Sequence, residues 1–313
     1  MSQFRRAMSP GQWLLLLLLG TIWGGSYFFI KLAVGEVGPF SLVFWRCALG
    51  ALALLLLLKL NGMRLPASRA DWLSLGVLGL LNSLLPFALI SWAETHIDSG
   101  LAGMLNATTP LFAVLLLHYV THDERLTRSR LAGLAAGLAG VALLVGPAAL
   151  SGFSSNLLAQ LAVLFSSLLY AVAAIYVRRL EHLPALTIAT GQLLVTTVLC
   201  LPLMLIVERP WQAAAPGAVT LASLAALGLL STALATTLYY RLLAATGPAN
   251  GTLVTFIIPA SATLLGVLVL GEQIGARHIG GMTLIALGLL VTDPRARQAL
   301  LSLVPYAWRA TSP

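Results

Sequence analysis

The segment from Gly100 to Leu117 reads GLAGMLNATTPLFAVLLL and has a proline near its centre. It carries no charge and approaches the about 20 residues that a helix needs to cross a bilayer. Because Pro110 has no backbone N–H, the carbonyl oxygen of Asn106 loses its helical donor. Inside a membrane, that oxygen must be satisfied by the protein or by a wet cavity. We therefore expect a membrane-spanning helix that is kinked at Pro110.

A second segment of the same length and character follows in the other half of the chain. Ala249–Gly266 reads ANGTLVTFIIPASATLLG, and Pro259 stands 149 residues after Pro110. The carbonyl oxygen freed here belongs to Thr255. Interrupted apolar segments at matching places in two halves are typical of the central site of a secondary transporter. We expect the kinks at Pro110 and Pro259 to shape such a site.

Composition places the whole chain in a membrane. Of its 313 residues, 59% are hydrophobic and 9% are charged, and the mean hydropathy is +0.93. Soluble domains carry about 25% charged residues, so no room remains for a separate soluble domain. The net charge of +8 comes mostly from short loops, which indicates topology signals and predicts no nucleic-acid partner. Cys47 and Cys200 lie in apolar runs, so neither a disulfide nor a metal site is expected.

The hydropathy pattern predicts ten membrane spans. Their bounds are Trp13–Ala33, Pro39–Leu58, Trp72–Trp92, Gly100–Val120, Leu131–Gly146, Asn156–Val177, Pro184–Val207, Val219–Tyr240, Pro248–Gly271 and Ile274–Val291. All but four of the 18 Lys and Arg residues fall at the termini or in loops on one side. The exceptions are Lys31, Arg209 and Arg277 on the other side and Arg46 within a span. This asymmetry predicts cytoplasmic N- and C-termini, comprising residues 1–12 and 293–313.

The order of features repeats between residues 13–150 and 151–292. Leu78–Leu81 corresponds to Leu227–Leu230, and each central proline is followed by a glutamate, Glu124 or Glu272. Each half contributes five spans, an odd number, so the second half enters the membrane from the opposite face. The predicted fold class is an all-α integral membrane protein, with ten transmembrane helices as two inverted five-helix repeats around a central cavity.

Several short motifs follow one another along the chain. They are Ile22-Trp23-Gly24-Gly25-Ser26, Trp45-Arg46, the Leu101–Thr109 run before Pro110, Asp123-Glu124-Arg125-Leu126 and Gly271-Glu272-Gln273-Ile274. With them the chain resembles the EamA-type exporters of the drug/metabolite transporter superfamily, from about Trp13 to Val291. The resemblance implies a ten-helix basket with a central cavity and inverted five-helix repeats. It also implies export of amino acids or other small metabolites.

Arg46 is the one charged residue well inside a predicted span. A guanidinium at that depth costs a few kcal/mol and should face protein or water. It could bind the carboxylate of a substrate in a bidentate manner. Alternatively, it lies seven residues after Pro39 and could snorkel to the membrane face or form a structural pair. The second half has Thr190-Gly191-Gln192 in this region, so any charge in the cavity would be one-sided.

Aromatic and amide side chains supply the other candidate cavity residues. Besides Arg46, these are Trp23, Tyr27, Asn82, Asn106, Tyr170 and Gln192. Trp23 and Tyr170 occupy corresponding positions in the two halves, and aromatic walls suit aromatic solutes and cations. Packing against lipid or other helices is the alternative for the aromatics. Asn and Gln are harder to place against lipid, because each has donors and an acceptor to satisfy.

Titratable groups at the outer end of the third span offer a coupling site. Glu94, His96 and Asp98 lie close in sequence, and Glu94 or His96 could carry a proton. A solvated loop is the alternative, because the cluster lies at a membrane boundary.

No catalytic cluster and no nucleotide-binding loop are found, so neither an enzyme nor a cofactor is expected.

The predicted function is a secondary transporter of the bacterial inner membrane. It would export small metabolites, amino acids and aromatic ones among them, by alternating access. A multidrug or organic-cation efflux carrier is the alternative, and a membrane-embedded enzyme is less favoured. The expected partners are the small-molecule substrate and membrane lipids. Gly133, Gly137 and Gly140 could form a weak homodimer, or they could pack within a monomer.

Overall fold

The computed structural model describes residues 8–120, 128–146, 155–246 and 253–292. These residues form ten helical segments, and no strand occurs among them. The helices are α1 (Pro10–Ala33), α2 (Pro39–Leu60), α3 (Arg69–Ala93), α4 (Ser99–Asn106 and Thr109–Val120), α5 (Arg128–Val145), α6 (Ser155–Tyr176), α7 (Ala185–Leu203, continued by Met204–Glu208), α8 (Ala218–Thr246), α9 (Val254–Leu270) and α10 (Ala276–Thr292).

Seven of these helices are long and apolar enough to span a membrane, namely α1 to α4 and α6 to α8. The apolar parts of α5, α9 and α10 are shorter, at Leu131–Val145, Val254–Leu270 and Ala276–Val291. The helices begin and end within a few residues of the predicted spans, except that the described part of the ninth begins later. Its predicted start at Pro248, the loop glutamate Glu124 and the C-terminal tail lie outside the described residues, as does most of the N-terminal segment.

The outer surface of the bundle is covered with large apolar side chains. Leu73 on α3 and Leu268 on α9 are 74% and 77% exposed, and similar side chains line α1, α2 and α7. Water would penalise such an extensive apolar surface, whereas lipid does not. The chain is therefore a multi-pass membrane protein, and its polar side chains are turned inward.

Helix packing follows a repeating scheme. Helix α2 packs against α7, α5 packs against α10, and α4 packs against α9. The contacts of α1 with α8 and α9 recur as contacts of α6 with α3 and α4. The contact of α2 with α8 likewise recurs between α7 and α3. The helix pairs therefore stay the same when each of α1 to α5 is replaced by its counterpart among α6 to α10, and the reverse.

The two central prolines lie in different surroundings. Helix α4 is interrupted at Ala107 and Thr108, just before Pro110. The carbonyl oxygen of Asn106 accepts a hydrogen bond from Thr109 Oγ1 at 2.9 Å, so the protein itself satisfies the freed oxygen. Helix α9 instead continues through Pro259, which is buried. Pro259 is in the second turn of α9, so it removes the helical donor to the carbonyl oxygen of Thr255 without ending the helix.

Helices α5 and α10 approach each other backbone to backbone. A methyl group at Gly140 would lie 2.6 Å from the carbonyl oxygen of Gly281, and one at Gly288 would lie 2.5 Å from that of Gly133. Small residues permit this approach in membrane helices. The small-residue face predicted on α5 is thus occupied by α10 of the same chain.

Candidate solute-binding site

Two π-helical segments place polar groups at corresponding positions of the two halves. Leu80–Leu84 in α3 contains Asn82 and Ser83, and Ala226–Leu234 in α8 contains Ser231 and Thr232. In the second segment, Thr232 Oγ1 donates to the carbonyl oxygen of Leu227, five residues earlier, at 2.8 Å. Segments of this kind inside α-helices are frequent at functional sites, because they shift side chains out of the regular helical register.

Arg46 is held at the boundary between α2, α3 and α8. Its side chain is 5% exposed, its Nε donates to Thr232 Oγ1 at 3.1 Å, and its guanidinium lies 3.8 Å from the ring centre of Phe87. A guanidinium has five N–H donors. Among the described residues, the Nε bond is the one hydrogen bond that it forms. At 5% exposure, Arg46 lies inside the bundle and not against lipid.

The corresponding pair on the other side of the bundle is neutral. Asn82 Nδ2 on α3 donates to Gln192 Oε1 on α7 at 3.4 Å. The α7–α3 contact is the counterpart of the α2–α8 contact that contains Arg46 and Thr232. One side of the centre therefore carries a positive charge and the other carries amides, as the difference between the two halves predicts.

The predicted aromatic residues also form contacts between helices. Trp23 Nε1 donates to the carbonyl oxygen of Ser231 at 3.1 Å, and its ring lies 5.2 Å from that of Tyr239. Tyr27 is buried and lies near the side chain of Asn106. Asn106 Oδ1 in turn accepts a hydrogen bond from Ser167 Oγ at 3.1 Å.

Tyr170 on α6 is half-buried and completes this group of residues. It packs against the buried core cluster that contains Tyr27. Lipid contact, the alternative fate for the aromatics, does not describe Tyr27, which is 5% exposed.

Each of these hydrogen-bonded pairs joins the first half of the chain to the second. The pairs are Trp23 with Ser231, Arg46 with Thr232, Asn82 with Gln192, and Asn106 with Ser167. Five of the seven residues predicted for the cavity therefore lie along the boundary between the halves. Transporters built from two repeats bind their substrates at this kind of boundary.

The two titratable candidates for coupling lie in different environments. Glu94 follows the last turn of α3 and is fully buried. His96 is exposed, its Nδ1 lies 2.7 Å from Thr95 Oγ1, and its ring lies 4.9 Å from that of Trp92. The solvated-loop description therefore suits His96 but not Glu94.

Phe87 and Tyr239 are not predicted from the sequence as part of the site. Phe87 follows Ser83 by four residues, and Tyr239 follows Thr232 by seven, so each lies on the same helical face as a polar residue of the π-helical segment. That spacing is a signal in the sequence. It is weak, because an aromatic residue at helical spacing is common in any apolar helix.

Three carboxylates join the halves at one end of the bundle. Glu208, after α7, accepts hydrogen bonds from Phe40 N and Ser41 N at 2.6 and 2.7 Å at the start of α2. Glu272, after α9, accepts from Ser99 N and Gly100 N at 2.8 and 2.9 Å at the start of α4. We call Glu36, Glu208 and Glu272 the bridging carboxylates.

Glu36 forms the third bridge, from the end of α1 to the start of α8. It accepts from Gly217 N and Thr220 Oγ1, both at 2.7 Å. These bonds lower the pKa of Glu36 below its ordinary value. Negative charge is favourable at all three helix N-termini, because the helix dipole is positive there.

Comparison with known proteins agrees with this architecture. The model of the EamA-like transporter family matches residues 11–146 and again residues 157–292. The chain belongs to the EamA-like transporter family. The two matches divide this EamA protein close to the predicted boundary between its halves.

Individual relatives extend over most of this EamA chain. The Bacillus subtilis transporter YoaV is 25% identical over 86% of this chain and 92% of its own length. The Escherichia coli K12 inner membrane transporter YedA is 28% identical over 88% and 87%. The probable terminal-alkyne amino-acid exporter of Streptantibioticus cattleyicolor is 27% identical over 89% and 94%. A solved crystal structure matches with a TM-score of 0.65 at 23% identity, over 93% of this chain and 99% of that one, which shows a shared fold.

Proposed function

We propose that this EamA-family protein is a secondary transporter that exports small zwitterionic metabolites, amino acids among them, by alternating access. The observation that carries the proposal is Arg46, a buried guanidinium at the boundary between the halves that forms one hydrogen bond with the described residues. Bidentate binding of a carboxylate is the interaction to which a guanidinium is best suited.

The surroundings of Arg46 suit the rest of such a substrate. Phe87, Tyr27 and Tyr170 offer aromatic surface, while Asn82 and Gln192 offer neutral amides. A site of this composition favours a small solute with one carboxylate and an apolar or aromatic side chain. The similarity to a probable amino-acid exporter points to the same class of substrate.

Alternating access would rest on two inverted five-helix repeats. The exchange symmetry of the helix packing and the double match of the family model support this arrangement. The asymmetry of Lys and Arg supports cytoplasmic termini, and YedA is an inner membrane protein, which supports the same location here.

Counterflow in liposomes tests the proposal. Purified protein is reconstituted with a high internal concentration of an unlabelled amino acid, and uptake of the labelled compound is followed for a panel of amino acids. Uptake above that of empty vesicles is expected for at least one member, with aromatic amino acids favoured. If no amino acid exchanges while the protein remains folded, the substrate class is wrong.

An organic-cation exporter is the second candidate. The buried carboxyl of Glu94 favours it, because a cation carrier requires an acid inside the bundle. Quaternary amines in the same counterflow panel separate the two candidates: a cation exporter exchanges them and ignores amino acids, whereas the proposed carrier does the reverse.

A further inference from the structure

Glu94 has a fully buried carboxyl group that no described residue contacts through a hydrogen bond. Its exposed fraction is zero, and neither Oε1 nor Oε2 forms a hydrogen bond with a described residue. An ionised carboxylate in that position would carry a large desolvation cost, and no hydrogen bond from a described residue offsets it. A carboxyl group in such surroundings is neutral, which means that it holds a proton.

The cation next to Glu94 is engaged elsewhere. Lys31 Nζ on α1 donates to two backbone carbonyl oxygens, those of Glu94 and Ile97, each at 2.8 Å. Lys31 therefore satisfies backbone carbonyl oxygens at and just after the end of α3, and it does not pair with the carboxylate of Glu94. The lysine nevertheless lies close enough to stabilise that carboxylate once the surroundings become wet.

Several other charged or titratable groups surround Glu94. They are Tyr27 on α1, Arg46 on α2 and Glu272 after α9, with His96 and Asp98 on its own segment. Lys31 and Arg46 favour the ionised form of Glu94, whereas Glu272 disfavours it. Because desolvation is the main term against the ionised form, an increase in solvation around this group would favour release of its proton.

We infer that Glu94 is the proton-binding site that couples export to proton movement, which deepens the proposed function and rests on it. The geometry favours a proton over a larger cation, because both carboxyl oxygens are enclosed and leave no room for an ammonium group. Glu94 also interacts with Arg46 and Tyr27 of the candidate site, so each ligand would influence the binding of the other.

The coupled step is an exchange of one proton for one substrate molecule. With the outer side open, the ionised carboxylate takes a proton from that solution and one O–H bond forms. After the transition the same O–H bond breaks towards the cytoplasm, and the carboxylate is restored. The metabolite moves in the opposite direction, so protons entering the cell drive export.

Substrate accumulation in proteoliposomes tests this coupling. Vesicles containing the full chain are prepared with an interior one pH unit more acidic than the medium, and potassium with valinomycin holds the membrane potential at zero. One-for-one exchange predicts roughly tenfold accumulation of the exchanged amino acid, equal to the proton gradient. Glu94→Gln should still exchange substrate but reach no accumulation, while His96→Ala should accumulate like the parent protein.

The outcomes separate this inference from the proposed function. If the parent protein exchanges amino acids but ignores the pH gradient, or if Glu94→Gln accumulates them normally, the inference is overturned. If no amino acid exchanges at all, the proposed function fails. In that case, labelling with dicyclohexylcarbodiimide, an apolar reagent that reacts with protonated carboxyl groups, still tests Glu94. Peptide mass spectrometry should find Glu94 modified at neutral pH and Glu208 unmodified, and the opposite pattern would refute a protonated Glu94.

Discussion

Replacing Arg46 should remove recognition of the substrate carboxylate while leaving the fold in place. Within the described part of the chain, the guanidinium forms one hydrogen bond, to Thr232, and lies over the ring of Phe87. A hydrogen bond to a charged group contributes about 1.5–3 kcal/mol, so Arg46→Gln should weaken binding roughly 10- to 150-fold. Arg46→Lys keeps the charge but loses the planar fork, and an intermediate loss is expected.

The assay compares an amino acid with its own amide, for example phenylalanine with phenylalaninamide. Half-saturation in counterflow is measured for both ligands with the parent protein and Arg46→Gln. Only the carboxylate ligand should lose affinity in the variant, since the amide never bound through its charge. Arg178→Gln, an exposed arginine at the end of α6, is the matched control. An equal loss for both ligands would refute direct binding by Arg46 and assign it a structural role.

Three further predictions concern stability and are measured by thermal unfolding in detergent. Gly140→Val should lower the melting temperature by an amount equivalent to about 1–3 kcal/mol, because the added methyl groups would meet the backbone of α10, whereas Gly35→Ala in an open loop should change little. Glu36→Gln should lower the melting temperature at neutral pH only. Since the pKa of Glu36 is lowered in the folded protein, its contribution is present above the ordinary value of 4.5, and the difference should vanish as the pH falls further. Trp23→Phe should cost about 0.5–1.5 kcal/mol, because the carbonyl oxygen of Ser231 loses its donor; an unchanged melting temperature would show that this bond contributes nothing.

Much of the fold could be predicted because membrane helices leave a strong signal. Long apolar segments and loop charges depend on local composition, which the sequence displays directly. The break before Pro110 also followed from local chemistry, since a proline removes a donor wherever it stands. The uninterrupted course of α9 through Pro259 did not, because a proline within a helix can either break it or only kink it.

The site was predictable only in part, because helix packing decides which side chains meet. Asn82, Asn106 and Gln192 could be identified as polar groups that need partners, but their partners across the bundle could not. The π-helical segments have no sequence signature and shift the register at the very positions that matter. Glu94 is the clearest case: a charged residue near a loop suggests solvent, and its burial follows from helices far away in the sequence.

The bridging carboxylates have a consequence for the kinetics of the carrier. Glu36, Glu208 and Glu272 each accept a hydrogen bond from at least one backbone N–H group, and only a proline at that donor residue would remove the group. The free energy needed to separate the two halves at that end of the bundle therefore depends on three acidic residues. These residues are not among those proposed to bind the solute. Neutralising them singly and in pairs would yield a graded series of carriers that differ in turnover while retaining the same preference among solutes.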